Sequence, residues 1–181
     1  MKPEIHLFII WENAYKFKDN FIKEINNKTY LNIIGEHKII WNAFEENLTR
    51  FYRKRPVMSD KANRVGRGPF TLIVVEDNSP QYKERSTSKG KEIVNINIFD
   101  LKEEFREISG PPNDLIHATN NIIESNHDLT LLLGVNCNDY KKTKINKTLN
   151  TDIIGHKGWD NISQMFYVLN NTIDYVVLRN W

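Results

Sequence analysis

Residues 112–134, PNDLIHATNNIIESNHDLTLLLG, decide how this chain is read. Leu115 and Ile116 form a short apolar run with His117 directly behind it, and Thr119 and Asn120 are helix-capping residue types. Beyond them Ile122, Ile123, Leu129, Leu132 and Leu133 recur at helical spacing. The pattern is a buried strand feeding a helix. His117 then stands at the strand's carboxyl end beside a helix amino terminus, where free N–H groups and the helix dipole favour anions such as phosphate. A histidine so placed can serve as base, nucleophile or metal ligand. The same pattern also suits a histidine that only bonds a neighbouring carbonyl.

Upstream, Gly110-Pro111-Pro112 ends a helix expected over residues 101–108, with Asp100 as its cap and Arg106 in its last turns. Residues 93–99 (IVNINIF) alternate like a half-buried strand, and 70–75 (FTLIVV) form the most apolar strand of the chain. Between them, 76–90 reads as a polar loop holding Tyr82, Arg85 and Thr87. Residues 53–69 crowd Arg53, Lys54, Arg55, Lys61, Arg64 and Arg67 among prolines and glycines. That stretch is a basic loop, either scattered solvated charge or an anion site suited to arginine's planar fork. Further back, 42–52 is a helix, 30–41 a strand with Gly35 as bulge or turn, 15–25 a helix and 6–10 (HLFII) a buried strand. Downstream, 136–158 reads as a polar linker. Residues 159–181 follow as a helix and strand, either docking on the main sheet or opening a further domain. The succession predicts an α+β sandwich, helices covering a largely antiparallel sheet.

The chain has 181 residues, 40% hydrophobic and 27% charged, enough for one domain with a full core. A net charge of +2 and a pI near 8.5 are too mild to argue for nucleic acid, although Tyr52, Tyr82 and the tryptophans could stack on bases. Cys137 is the single cysteine, which excludes an internal disulfide and a cysteine-built zinc cage and fits a reducing, cytoplasmic setting. No run reaches membrane-spanning length and no signal-peptide core opens the chain. His117, Glu124, His127 and Asp128 lie close in sequence, but His127 reads as a surface residue, and a metal held by protein ligands is not expected.

From about His6 to Leu133 the order of elements and several motifs resemble the nucleoside diphosphate kinase family. HLFII resembles its first strand, NAFEENLTRFY with RKRP its helix and tyrosine-containing stretch, and GPFTLIVVED its glycine-proline strand. IFDLKEEFR resembles the segment ending in an active-site arginine, and IHATNNIIESNHD resembles the isoleucine-histidine-glycine-serine-aspartate signature. The resemblance implies a ferredoxin-like α+β sandwich, 1–135, and phosphoryl transfer through a phosphohistidine at His117. It implies that Asp128, or Glu124 one turn earlier, orients the ring, and that Thr119 takes the place of the family's serine. Arg85, Thr87 and Arg106 would hold phosphates, and Tyr52 and Arg55 would border phosphates or base. It also implies Mg²⁺ arriving with a nucleoside triphosphate, a nucleotide partner and a homo-oligomer. The family's lysine-proline-aspartate is replaced by Trp11-Glu12-Asn13, and the interval from Tyr52 to Gly68 is shorter than the family's nucleotide hairpin. These departures point to an acceptor other than an ordinary nucleoside diphosphate. The alternative is a non-catalytic nucleotide- or phosphate-binding module that regulates or scaffolds a larger protein.

Overall fold

A computed structural model describes residues 2–53, 58–150 and 152. In it the apolar run near the amino end is β1 (Glu4–Ile10), an inner strand of a five-stranded sheet. Antiparallel neighbours flank it: β3 (Phe70–Asp77) on one side and β6 (Ile116–Ala118) on the other. The outer edge of β3 takes β2 (Leu31–Ile40), also antiparallel, and β7 (Thr148–Asn150) adds parallel to β2. The order is therefore β6-β1-β3-β2-β7. A 3₁₀ turn (Glu12–Phe17) and α1 (Lys18–Asn27) carry the chain from β1 to β2, and α4 (Ile96–Ser109) carries it on to β6. With β3 lying between β1 and β2, the pattern is a split βαβ unit with ferredoxin-like βαββαβ connectivity. The α+β sandwich is thus the observed architecture.

Strands β1 and β3 are apolar nearly throughout because both sheet faces are covered. On one face Phe8, Ile10, Ile73 and Val75 pack under α1 and α4, where Phe21 and Phe105 stack at 4.4 Å. On the other face Leu7, Ile9, Leu72 and Val74 lie under α2 (Phe44–Phe51), α3 (Ser59–Val65) and α5 (Ile122–Leu133). His117 is opposite Ile9 in the β1–β6 register, which sets it on this second face.

Three stretches depart from the sequence pattern. The basic loop at 53–69 contains α3, whose stripe Met58, Ala62 and Val65 is hidden in the sequence by the charges around it. The polar loop at 76–90 contains β4 (Tyr82–Thr87), which forms a two-stranded hairpin with β5 (Gly90–Asn95). Most of β4 faces solvent, so no apolar alternation marks it. The strand expected over 93–99 breaks at Asn95, whose side chain accepts from the Asn97 N–H and starts α4. Asn95, not Asp100, is the cap, because the Asn95 and Asn97 amides both bind the buried Asp77 carboxylate.

The polar stretch after Leu133 is attached to the sheet over 136–150. It supplies α6 (Cys137–Tyr140) and β7, and Tyr140 Oη lies 2.6 Å from His37 Nε2. Gly35 is the expected irregularity, marking a register shift in β2. The helix and strand expected in the tail fall at 153–181, outside the described residues, as does Arg55. No described helix is long and apolar enough to cross a membrane.

Candidate active site

Helix α5 begins one residue later than the expected caps. Asn121 accepts from the Glu124 N–H at 3.0 Å, and Glu124 Oε2 accepts from the Asn120 N–H at 2.6 Å, a variant of the capping box whose return bond falls on the residue before the cap. The helix then returns Asp128 beneath β6, with Oδ2 2.9 Å from His117 Nε2. The second carboxylate oxygen lies 2.8 Å from His127 Nδ1, and Arg53 Nε donates to His127 Nε2 at 3.0 Å. This chain of contacts fixes the tautomers. His127 accepts at Nε2, so its proton sits on Nδ1 and points to Asp128. Asp128 then accepts from His117 Nε2–H, which leaves the His117 Nδ1 lone pair free, and Nδ1 makes no hydrogen bond among the described residues. Burial alone would raise the Asp128 carboxyl, but hydrogen bonds from both histidines outweigh it and hold it below the usual carboxylate range. Arg53 reaches this position from a left-handed backbone (φ 51°), a conformation costly for a residue with a Cβ.

His117 is the inner end of this chain, its side chain still 15% exposed. Phe51 and Tyr52 stand edge-on to it, with ring centroids at 5.3 and 5.6 Å. Burial, reinforced by the Asp128 charge, pushes the Tyr52 phenol far up, so it stays protonated. Lys61 Nζ lies 4.3 Å from the Tyr52 ring centroid and 3.8 Å from Asp114 Oδ2. Asp114, in the 3₁₀ turn just before β6, also takes two N–H groups of Arg64, at 3.0 and 2.7 Å. Arg106 reaches the group from α4. Its NH1 pairs with Glu103 at 2.7 Å, its Nε is buried without a hydrogen bond among the described residues, and its charge acts on Lys61.

Of the residues expected at the site, His117, Asp128 and Tyr52 come together, and the charge of Arg106 acts on Lys61 beside them. Arg85 does not join them: it stands on the hairpin and pairs with Asp100 at 3.2 and 3.1 Å. Thr87 donates within the same hairpin, to Gly90 O and Glu92 Oε2. Thr119 is fully buried, its hydroxyl receiving the Leu7 N–H and the Ser125 hydroxyl and lying 3.2 Å from His6 Nδ1. Glu124 serves the helix cap and leaves the ring to Asp128. Trp11, where the resemblance would set a lysine, is buried among Trp41, Phe44, Phe51 and Phe70. Lys16 lies over Phe17 and Lys18 pairs with Glu36, so neither replaces it. His127 corrects the sequence reading, since it faces Asp128 and not solvent alone. Arg53 and Lys61 come from the basic loop that could be read as an anion site, and Asp114 joins the site unforeseen. For Lys61 the available signal was its position within the Met58, Ala62, Val65 stripe.

Among the described residues no three His, Cys, Asp or Glu side chains group to hold a metal ion. No family model and no curated protein matches the sequence. The fold is similar to two solved nucleoside diphosphate kinases. One, from Aquifex aeolicus in an orthorhombic crystal form, is 21% identical with a TM-score of 0.39, over 70% of this chain and 92% of that one. The other, from Borrelia burgdorferi with vanadate and ADP bound as a transition-state mimic, is 12% identical with a TM-score of 0.41, over 87% of this chain and 96% of that one. Likeness of this degree says nothing about the site, and the fold rests on the strand order itself.

Proposed function

We propose that the protein is a nucleotide-dependent phosphotransferase working through a phosphohistidine at His117, with an acceptor other than an ordinary nucleoside diphosphate. One observation carries the reading: His117 Nε2 is tied to a buried carboxylate while Nδ1 is left free at the accessible edge of the sheet. In the reaction the Nδ1 lone pair forms the N–P bond as the bond from the γ-phosphorus to its bridging oxygen breaks. That oxygen leaves with the electron pair on the nucleoside diphosphate. The ring gains positive charge, which the Asp128 carboxylate offsets through Nε2–H. Arg106, with an uncommitted Nε, supports charge on the phosphate oxygens. Mg²⁺ carried by the nucleotide would offset the charge of its phosphates, with no protein ligand assigned to it. Trp11 in the core, and Arg85 paired on the hairpin, are the reasons for assigning a different acceptor.

The test is incubation of the protein with Mg²⁺ and ATP labelled on its γ-phosphate. Acid-labile label that vanishes in His117→Ala is expected, and label persisting in that variant overturns the role of the histidine. A non-catalytic phosphate-binding module is favoured by one observation, that Arg64 and Arg106 already pair with Asp114 and Glu103. That reading predicts nucleotide binding by calorimetry with no label.

A further inference from the structure

Lys61 is 12% exposed, and the Asp114 oxygen nearest to it is already taken by Arg64, at 3.0 and 2.7 Å. The ammonium therefore has an ion pair at 3.8 Å and no hydrogen bond among the described residues. Three donors in a largely buried position with none engaged is a costly arrangement. Burial lowers the Lys61 amine to about 8; the Asp114 carboxylate opposes the shift, and the Arg64 and Arg106 charges add to it. Three further polar atoms are buried without hydrogen bonds among the described residues: Trp11 Nε1, Arg106 Nε and Asp114 Oδ1, the last on the carboxylate that faces Lys61. Buried orphans of this kind mark the place of a water or a ligand. Apart from the Asp114 oxygen all these groups are donors, and two are cationic, so an anion would satisfy them best.

We propose that Lys61 is a catalytic residue of this site, its ammonium contacting the phosphoryl group as it passes from the nucleotide to His117. The proposal rests on the phosphotransferase reading and adds a residue to it. While the N–P bond forms and the P–O bond to the leaving diphosphate breaks, Lys61 transfers no proton. It donates hydrogen bonds to the oxygens on which negative charge collects, where a fixed cation in a partly dry site is worth most. Among the described residues it is the lysine that the fold brings against Tyr52, and Tyr52 is one of the two rings edge-on to His117.

The experiment follows the single-turnover formation of phosphohistidine in the full-length protein and its Lys61→Met and Lys61→Arg variants. The methionine variant is expected to be slower by about 10²–10³-fold, with KM for Mg·ATP little changed, and arginine to restore part of the rate. The wild-type rate should fall as pH rises through about 8 and the arginine variant's should not. The groups facing Lys61 are Asp114, Arg64, Arg106 and Tyr52; burial keeps the Tyr52 phenol protonated through that range, and the hydrogen bonds to Asp114 hold the Arg64 guanidinium above its usual value. A second measurement reads acylation of Lys61 by an amine-reactive ester, with and without β,γ-imido-ATP and Mg²⁺, by peptide mass spectrometry. Protection by about tenfold is expected for an amine shielded by a bound phosphate. Equal labelling rates in wild type and the methionine variant overturn the role of Lys61 and leave the phosphotransferase reading standing. A wild-type protein that takes no label defeats that reading and the catalytic role together, and protection then decides whether Lys61 still holds a phosphate. An unprotected Lys61 overturns the contact itself.

Discussion

Replacing Lys61 by methionine should stabilise the protein near neutral pH, and the structure sets the size of the effect. The folded chain holds the Lys61 amine at about 8 against 10.5 when free, a drop corresponding to about 3 kcal/mol. The sign follows from proton binding. The unfolded chain keeps this proton up to 10.5 and the folded chain only to about 8, so the penalty is fully present below about 8 and is relieved as pH rises towards 10.5. Methionine has nearly the same length and carries no charge, and Asp114 keeps its two bonds from Arg64. Allowing for the lost contact with Tyr52, the gain should be about 1–3 kcal/mol. Urea unfolding followed by tryptophan fluorescence suits the measurement, because Trp11 and Trp41 are buried at 0% and 5% exposure. The slope with urea should be unchanged, and the gain should shrink as pH climbs from about 8. A methionine variant less stable than wild type, or a gain that grows with pH, would refute the reasoning.

Asp128→Asn offers one acceptor and one donor where two ring N–H groups now point. It should lose about 1–3 kcal/mol of stability and slow phosphohistidine formation by about 10²–10⁴-fold, read by urea unfolding and label uptake. In wild type the lowered Asp128 carboxyl contributes stability that is present above its unfolded value and is lost as pH falls through the folded one. Acid unfolding of the asparagine variant should lack that component. Arg106→Ala should slow labelling by about 10²-fold, whereas Arg85→Ala breaks an exposed pair worth less than about 1 kcal/mol and should leave labelling close to wild type. Gly35→Ala drives a Cβ into Tyr140 Oη and should cost about 1–3 kcal/mol by displacing the ring from His37, visible as a lower Tm.

The sheet was legible because its inner strands are apolar on both faces. HLFII and FTLIVV can hardly be anything but covered strands, and the spacing from Ile122 to Leu133 marks its helix without help from other segments. The hairpin β4–β5 was not legible, since a ribbon standing mostly in solvent needs no alternation. Helix α3 was masked because Lys61 and Arg64 are drawn to Asp114, a partner about fifty residues away in sequence, which no local pattern announces. At the site, His117 and Asp128 could be read from one segment because strand and helix are consecutive there. Arg85 was assigned only through the family resemblance, and the hairpin carries it to Asp100. His127 was read as exposed on helical periodicity. Its ring turns instead to the next residue's carboxylate, a contact set by rotamer choice and by Arg53 arriving from α2.

Mapping the phosphate on the histidine ring tests the central claim most directly. After brief exposure to Mg·ATP under alkaline handling, phosphorus NMR of the isolated peptide containing residue 117 distinguishes the two ring positions. Phosphate on Nδ1 is the predicted result, since Nε2 is committed to Asp128. Phosphate on Nε2, or none on His117 while the protein transfers phosphate elsewhere, would contradict it.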